Sequence, residues 1–320
     1  MLIVIPDDNP PVLSGTPALE RLRRLGEAKL YASDAADPAL LVERLRQADV
    51  AMNIRGRTIF SSEVLTQCPQ LRMISIWGTG TDNVDLAAAA ARGVIVTNTP
   101  GANAIAVAEH TIALLLAVTK QIVPGDLATR QGGWPRNLVV QLRGKRLGLI
   151  GTGLIGREVA AMAKGLGMDV VAWTFHPDQA FAASLGLRYV SLEELLSTSD
   201  VVSLHLRATA DTRHFLNRER LALIKPTAFL VNTARGALVD EAALAECLRS
   251  GKIAGAGMDV FETEPLPPKH PFTALPNTVI TPHAAGMTAE VIETGLAMAV
   301  ENIENFLKGS PTHVCTPAKG

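Results

Sequence analysis

At 320 residues the chain is long enough for two compact domains, each with its own core. A composition of 48% hydrophobic and 19% charged residues, with a net charge of -1, excludes a disordered chain and leaves no basic field for nucleic acid or an anionic membrane. Its three cysteines, Cys68, Cys247 and Cys315, stand far apart without a CxxC pair, which excludes a disulfide framework, suits a reducing compartment and suggests no metal site.

The chain opens Met-Leu-Ile-Val-Ile and meets Pro6, Asp7 and Asp8 at once. That apolar run is too short for a signal peptide, so it reads as a buried strand at 2–5, and the cytoplasm is the expected compartment. Further apolar runs at 50–54, 73–77 and 94–97 read as strands, and the amphipathic stretches at 18–25, 38–47 and 86–92 read as helices. Asn98-Thr99-Pro100-Gly101 marks a seam. Beyond it Ile105, Ala108, Ile112, Leu115 and Leu116 recur at helical spacing, giving one long buried helix through Thr119. Inside that helix Glu109 and His110 read as buried structural or interface partners. The longest apolar run, 112–118, is too short to span a bilayer.

A second strand series is expected at 146–150, 170–173, 201–206, 228–232, 258–260 and 278–281. Continuous Val/Ile/Leu strands separated by helices indicate parallel sheets covered on both faces, so the chain is α/β with two doubly wound domains. The last helix, 289–308, follows a sheet that is already complete and is expected to cross back to the first domain. The first domain then comprises residues 1–99 and 288–320 and the second residues 100–287, with the cleft between them the expected ligand site.

Gly151-Thr152-Gly153-Leu154-Ile155-Gly156 directly follows the strand 146–150 and opens a helix at 157–165. A bare GxGxxG is common. A strand before it and a helix after it make it a dinucleotide fingerprint, with a ligand-free glycine turn as the weaker alternative. Gly151 permits the tight turn, Gly153 lets the backbone approach a pyrophosphate, Gly156 allows close helix–strand packing, and the helix N-terminus meets the phosphate charge. The next strand should end in an acidic residue that grips the adenosine ribose, but Thr174, Phe175 and His176 stand there. Asp169 is at the wrong end of that strand and Asp178 lies beyond it in a turn. No arginine is placed to hold a 2′-phosphate, although His176 is near, so NAD is slightly favoured over NADP.

Three polar residues follow the ends of consecutive strands, where open α/β sheets bind ligands: Arg235 in Asn232-Thr233-Ala234-Arg235-Gly236, Glu264 in the segment 259–265, and His283 in Thr281-Pro282-His283. Each alone has a bland reading, as a surface ion pair, a loop acid or a turn histidine. Together they supply an acid/base, a clamp for an anion and a partner that orients the acid/base. Histidine titrates near neutrality and can carry the hydroxyl proton. A guanidinium forks two hydrogen bonds to a carboxylate, and a carboxylate beside imidazole sets its tautomer.

With these motifs the sequence resembles the D-isomer-specific 2-hydroxyacid dehydrogenases, the family of D-3-phosphoglycerate dehydrogenase and glyoxylate/hydroxypyruvate reductase. Matching segments are Gly78-Thr79-Gly80-Thr81-Asp82-Asn83-Val84-Asp85, Asn98-Thr99-Pro100-Gly101, Val107-Ala108-Glu109-His110, the glycine fingerprint and the three segments above. The resemblance implies a Rossmann nucleotide-binding domain inserted in a flavodoxin-like substrate domain. It also implies an NAD(P)-dependent enzyme acting on a small 2-hydroxy or 2-keto acid, D-specific, with hydroxypyruvate or glyoxylate favoured. By the same resemblance Arg235 grips the substrate carboxylate and keto oxygen, His283 is the general acid/base, and Glu264 holds the other imidazole nitrogen. Asp259 and the backbone near Thr233 position the nicotinamide, and the N–H groups of Thr79 and Gly80 beside Gly78 receive the carboxylate. One flank of the helix 103–119 is expected to form a two-fold homodimer.

Arg55 and Arg57 follow a first-domain strand and read equally as substrate contacts or surface residues, and Trp134 either lines the cleft or packs. Arg207 and Ala208 depart from the family's frequent Pro-Leu, which puts cofactor contacts there in doubt, and glutamate at 264 argues against the formate dehydrogenase branch. The alternative function is a nucleotide-sensing binding protein of the corepressor type with the same fold. The short stretch after His283 leaves no regulatory module in this reading and favours a plain enzyme.

Overall fold

The computed structural model describes residues 1–317. Its first sheet contains β1 (Leu2–Ile5), β2 (Glu27–Leu30), β3 (Val50–Asn53), β4 (Met73–Ile76) and β5 (Ile95–Thr97), all parallel, in the order β2-β1-β3-β4-β5. The second contains β6 (Arg146–Ile150), β7 (Asp169–Trp173), β8 (Arg188–Tyr189), β9 (Val201–Leu204), β10 (Phe229–Asn232), β11 (Gly255–Met258) and β12 (Thr278–Ile280), again parallel, in the order β12-β11-β10-β9-β6-β7-β8. Strand order reverses between β1 and β3 in one sheet and between β6 and β9 in the other. Ligands of such folds sit just beyond the strand ends at these points.

The central strands form where their side chains are apolar on both faces: β3, β4, β9 and β10 are buried throughout. Two strands have no such signature. β2, Glu-Ala-Lys-Leu, is an edge strand whose residues alternate in exposure, and β8 is a two-residue edge strand; only their pairing partners define them. β11 lies earlier than its apolar run suggests because Gly255 and Gly257 belong to it. The helix Ala104–Thr119 lies directly on that face. A Cβ at Gly257 would stand 3.0 Å from Leu114 Cβ, and one at Gly255 3.0 Å from Val118 Cγ2. Helix starts carry their caps: Thr16 accepts from Leu19 N, Asp37 from Ala39 N and Asp240 from Ala243 N.

The chain divides into two compact units, Met1–Asn103 with the segment from Met287, and Ala104–Gly286. In the first, the helix Ala289–Leu307 returns to the first sheet, where Leu296, Ala299, Val300 and Ile303 share a core with Ile3, Ile5 and Met52. Ser75 Oγ donates to Ala299 O at 2.8 Å, and Gly295 has no Cβ because Trp77 occupies the space. In the second, separate cores cover the two faces of the seven-stranded sheet. Of the two readings of Glu109, buried structural partner or interface partner, the fold removes the first. Glu109 is exposed, because it lies four residues from the exposed Ile105 on the outward flank of its helix, whereas His110 is half-buried. Among the described residues no single helix is long and apolar enough to cross a membrane.

Candidate functional site

Strand β6 ends at the switch point, and Gly151-Thr152-Gly153 turns the chain into the helix Leu154–Gly165. Gly151 has φ +103°, and a Cβ there would lie 2.6 Å from the carbonyl oxygen of His205, just past the end of β9. A Cβ at Gly156 would collide with the Gly151 carbonyl. Gly153, the N-cap, has open space around its missing Cβ, and no side chain caps the helix. The first amides of the helix, at Leu154, Ile155 and Gly156, are therefore presented outward past a residue with no side chain. This cradle fits a dinucleotide pyrophosphate. Thr152 Oγ1 is fixed 3.0 Å from Tyr189 OH.

At the end of β7, Thr174 is half-buried and the exposed Phe175 meets Trp173 edge-to-face at 4.9 Å. The nearby carboxylates are engaged. Asp169 binds Arg146 at 2.9 Å at the opposite end of the strand. Asp178 caps the helix Gln179–Leu185 and holds Arg157 at 2.7 Å; the Phe181 N–H and then the Arg157 guanidinium keep its carboxyl below the usual range. His205 escaped the sequence reading although it directly follows the apolar run of β9. Its Nε2 lies 2.9 Å from Ser203 Oγ. The residue keeps some accessible surface, but the ring is so thickly surrounded that burial pulls its pKa down to about 3, and it is neutral at physiological pH.

The loops after β10, β11 and β12 build the second cluster. Asn232 Oδ1 accepts from Ala234 N at 3.0 Å and its Nδ2 donates to Arg235 O at 2.9 Å, which folds Thr233 to Arg235 into a tight turn. Thr233 Oγ1 sits 2.7 Å from Thr111 Oγ1, and Arg235 has extended backbone and donates to Ala234 O at 2.8 Å. Asp259 is fully buried. Its Oδ1 accepts from Thr281 Oγ1 at 2.6 Å and Ala284 N at 2.9 Å, its Oδ2 from Ala285 N at 3.0 Å, and its main-chain oxygen from His283 N at 2.8 Å. His110 Nε2 supports the same group, 3.0 Å from Thr281 Oγ1. These bonds hold His283 at φ +53°, a conformation that costs a non-glycine residue roughly 1–3 kcal/mol.

Glu264 Oε1 accepts from Phe261 N at 2.9 Å, and its Oε2 lies 2.6 Å from His283 Nδ1. Burial is the largest single influence on the Glu264 carboxyl and pushes it up. The hydrogen bond and charge of His283, the Phe261 N–H and the Arg235 guanidinium outweigh burial and hold it below the usual range. The His283 side chain is 46% exposed, and among the described residues its Nε2 meets no hydrogen-bond partner. The three polar residues singled out from strand ends thus form one cluster, with Glu264 bonded to His283 and Arg235 near enough to act on Glu264.

In the first unit, Gly78 has φ +141° and its N–H donates to Thr99 Oγ1 at 2.8 Å, so that amide is engaged. The amides of Thr79 and Gly80 have no acceptor among the described residues. Arg55 is half-buried and donates to Pro10 O; burial lowers its pKa. Arg57 is committed to Asp7 and Asp34, both at 2.9 Å. Trp134 stands 75% exposed in its loop.

The sequence profile of the D-isomer specific 2-hydroxyacid dehydrogenase NAD binding domain matches residues 112–285. A glyoxylate reductase of Aeropyrum pernix is 41% identical over 302 residues, 91% of this chain and 90% of the relative. Among solved structures, a Thermus thermophilus protein superposes with a TM-score of 0.90 at 40% identity, covering 98% of this chain and 100% of the other. D-Lactate dehydrogenase from Aquifex aeolicus, solved with NAD and lactic acid, gives 0.88 at 29% identity over 100% of both chains. With a profile that spans more than half of its length and relatives this similar over nearly all of it, the chain belongs to the D-isomer specific 2-hydroxyacid dehydrogenase family, oxidoreductases that move a hydride between NAD(P) and a 2-hydroxy or 2-keto acid.

Proposed function

We propose that this chain reduces a short 2-keto acid, glyoxylate or hydroxypyruvate, with NADH preferred to NADPH, as a cytoplasmic homodimer. The observation that carries the catalytic reading is the Glu264–His283 contact with Nε2 left open. Because the carboxylate faces Nδ1, that nitrogen is assigned a hydrogen, and Nε2 carries the proton that can be given away. Bound NAD(P)H supplies the hydride. His283 Nε2 donates its proton to the keto oxygen as the carbonyl carbon is reduced, while Glu264 stabilises the protonated ring beforehand and keeps it oriented afterwards. Arg235 grips the substrate carboxylate and keto oxygen, and a guanidinium does so with directional paired bonds that an ammonium cannot reproduce. Asp259 and Thr233 hold the nicotinamide end, Gly151 to Gly156 the pyrophosphate, and Thr174 the ribose. Of the first-unit candidates, the open amides of Thr79 and Gly80 are the carboxylate donors and Arg55 a further substrate contact, with Gly78 shaping the turn.

Glyoxylate is favoured because a relative that matches most of the chain carries that name. NADH is favoured because Thr174 is uncharged and Arg157 is already bound to Asp178. The domain roles follow: residues 1–99 with 288–320 bind substrate, and 100–287 bind nucleotide. Turnover with glyoxylate, hydroxypyruvate, pyruvate and phosphohydroxypyruvate, each with NADH and NADPH, tests the substrate and cofactor and separates an enzyme from a nucleotide sensor. His283→Ala should lose at least about 100-fold in kcat while NADH titration stays unchanged. Near-wild-type turnover in that variant would remove the proton-donor assignment.

A further inference from the structure

The turn that carries Glu264 is held from behind by a second glutamate. Glu241 begins the helix Glu241–Arg249, yet it does not cap it, since Asp240 already accepts from Ala243 N. Its side chain is 9% exposed, unusual for a first-turn acid. Glu241 Oε1 accepts the N–H of Glu262 at 2.8 Å, and Oε2 lies 3.1 Å from His270 Nε2. His270 Nδ1 accepts the Phe272 N–H at 3.4 Å, which leaves the ring hydrogen on Nε2. Both groups facing Glu241 are therefore donors, and only a carboxylate can accept at both ends; an amide would turn its own NH2 toward one of them.

The peptide that Glu241 grips joins Phe261 to Glu262. The N–H of Phe261 is the one that binds Glu264 Oε1. The same peptide is pressed by Gly236, the residue after Arg235, where a Cβ would collide with it. Glu262 is anchored in turn by its own carboxylate, 3.1 Å from the Arg213 guanidinium and 2.5 Å from His214 Nε2. Burying a carboxylate is costly, and the compensation here is a pair of hydrogen bonds that act on the turn rather than on the helix.

We propose that Glu241, oriented by His270, is a positioning residue for the Glu264–His283 pair: by fixing the Glu262 N–H it sets the 261–264 turn and so the approach of Glu264 to His283. This rests on the reading of His283 as proton donor. Glu241→Gln, nearly the same shape, should lower kcat/KM for the keto acid about tenfold, the loss of one hydrogen bond to a charged group, with NADH affinity close to wild type. The loss should fall on kcat rather than KM, as it should in Glu264→Gln, because a misplaced carboxylate orients the proton-donating ring less well. The double variant should be no worse than Glu264→Gln alone.

Wild-type kcat and kcat/KM in Glu241→Gln would overturn the proposal. So would a double variant in which the two losses multiply in full, since Glu241 would then not act through Glu264. If Glu264→Gln itself leaves both readouts unchanged, the proton-donor pair is what fails, and the proposal with it. Should Glu241→Gln not fold, His270→Asn removes the Nε2 donor and leaves Glu241 on the Glu262 N–H. A smaller loss of kcat supports the proposal, and no loss overturns it.

Discussion

His283 sits in the left-handed region, and the buried Asp259 keeps it there through bonds to the residues on either side. Arg235, Glu264 and His283 are visible in the sequence as candidates because each follows a short apolar run. Less visible are the groups around them: Glu241 reads as an ordinary first-turn acid and His205 as the tail of a strand, and the bonds by which Asp259 holds the His283 loop appear only in the fold. His205 also makes a prediction about stability. Its folded pKa is about 3 against 6.5 unfolded, so protons favour the unfolded chain between those values. The stability of the neutral ring is complete above pH 6.5 and is lost progressively as pH falls toward 3, by up to roughly 1.4 kcal/mol per pH unit. Melting of the cofactor-free protein between pH 7 and pH 5 should therefore steepen in wild type relative to His205→Asn. Parallel curves would show that the ring is not buried neutral.

The turn from β6 into the helix Leu154–Gly165 separates a glycine that packing requires from one that it does not. Gly153 has φ -70° and open space, so Gly153→Ala should leave the melting temperature nearly unchanged while weakening NADH binding, because the new methyl stands where the pyrophosphate approaches. Gly156→Ala drives a methyl into the Gly151 carbonyl and should lose stability, by roughly 1–3 kcal/mol, together with NADH affinity. Fluorescence titration and thermal melting read the two effects separately. Equal NADH affinity in Gly153→Ala and wild type would contradict the pyrophosphate assignment. The strand–glycine–helix pattern is legible because it is contiguous. The start of β11 is not legible in the same way, because its glycines answer to Leu114 and Val118, well over a hundred residues earlier in the chain.

At the scale of the whole molecule, the helix Ala104–Thr119 leaves Ile105 and Glu109 exposed, and the following helix, Ile122–Arg130, buries none of its residues. Ile122, Val123 and Leu127 are all exposed, a contiguous apolar surface of the kind that marks an interface. A homodimer through this surface should sediment as a dimer at micromolar concentration. Leu127→Glu, which replaces a side chain already in solvent, should give a folded monomer. A monomeric wild-type protein, or a Leu127→Glu variant that remains dimeric, would place the interface elsewhere or abolish it.

The α/β class, the two series of strands and the nucleotide fingerprint followed from the sequence alone, because periodicity and a strand–glycine–helix order are properties of neighbouring residues. The edge strands β2 and β8, half-exposed and polar, acquire their identity only by pairing with a neighbour. The 2.6 Å approach of Glu264 to His283, the enclosure of His205 and the two donors on Glu241 likewise exist only in the folded chain. Each is a contact between loops or strands that the chain visits at separate times, and no local pattern fixes how close such segments come; the sheet order and the packing of the loops at the strand ends decide it.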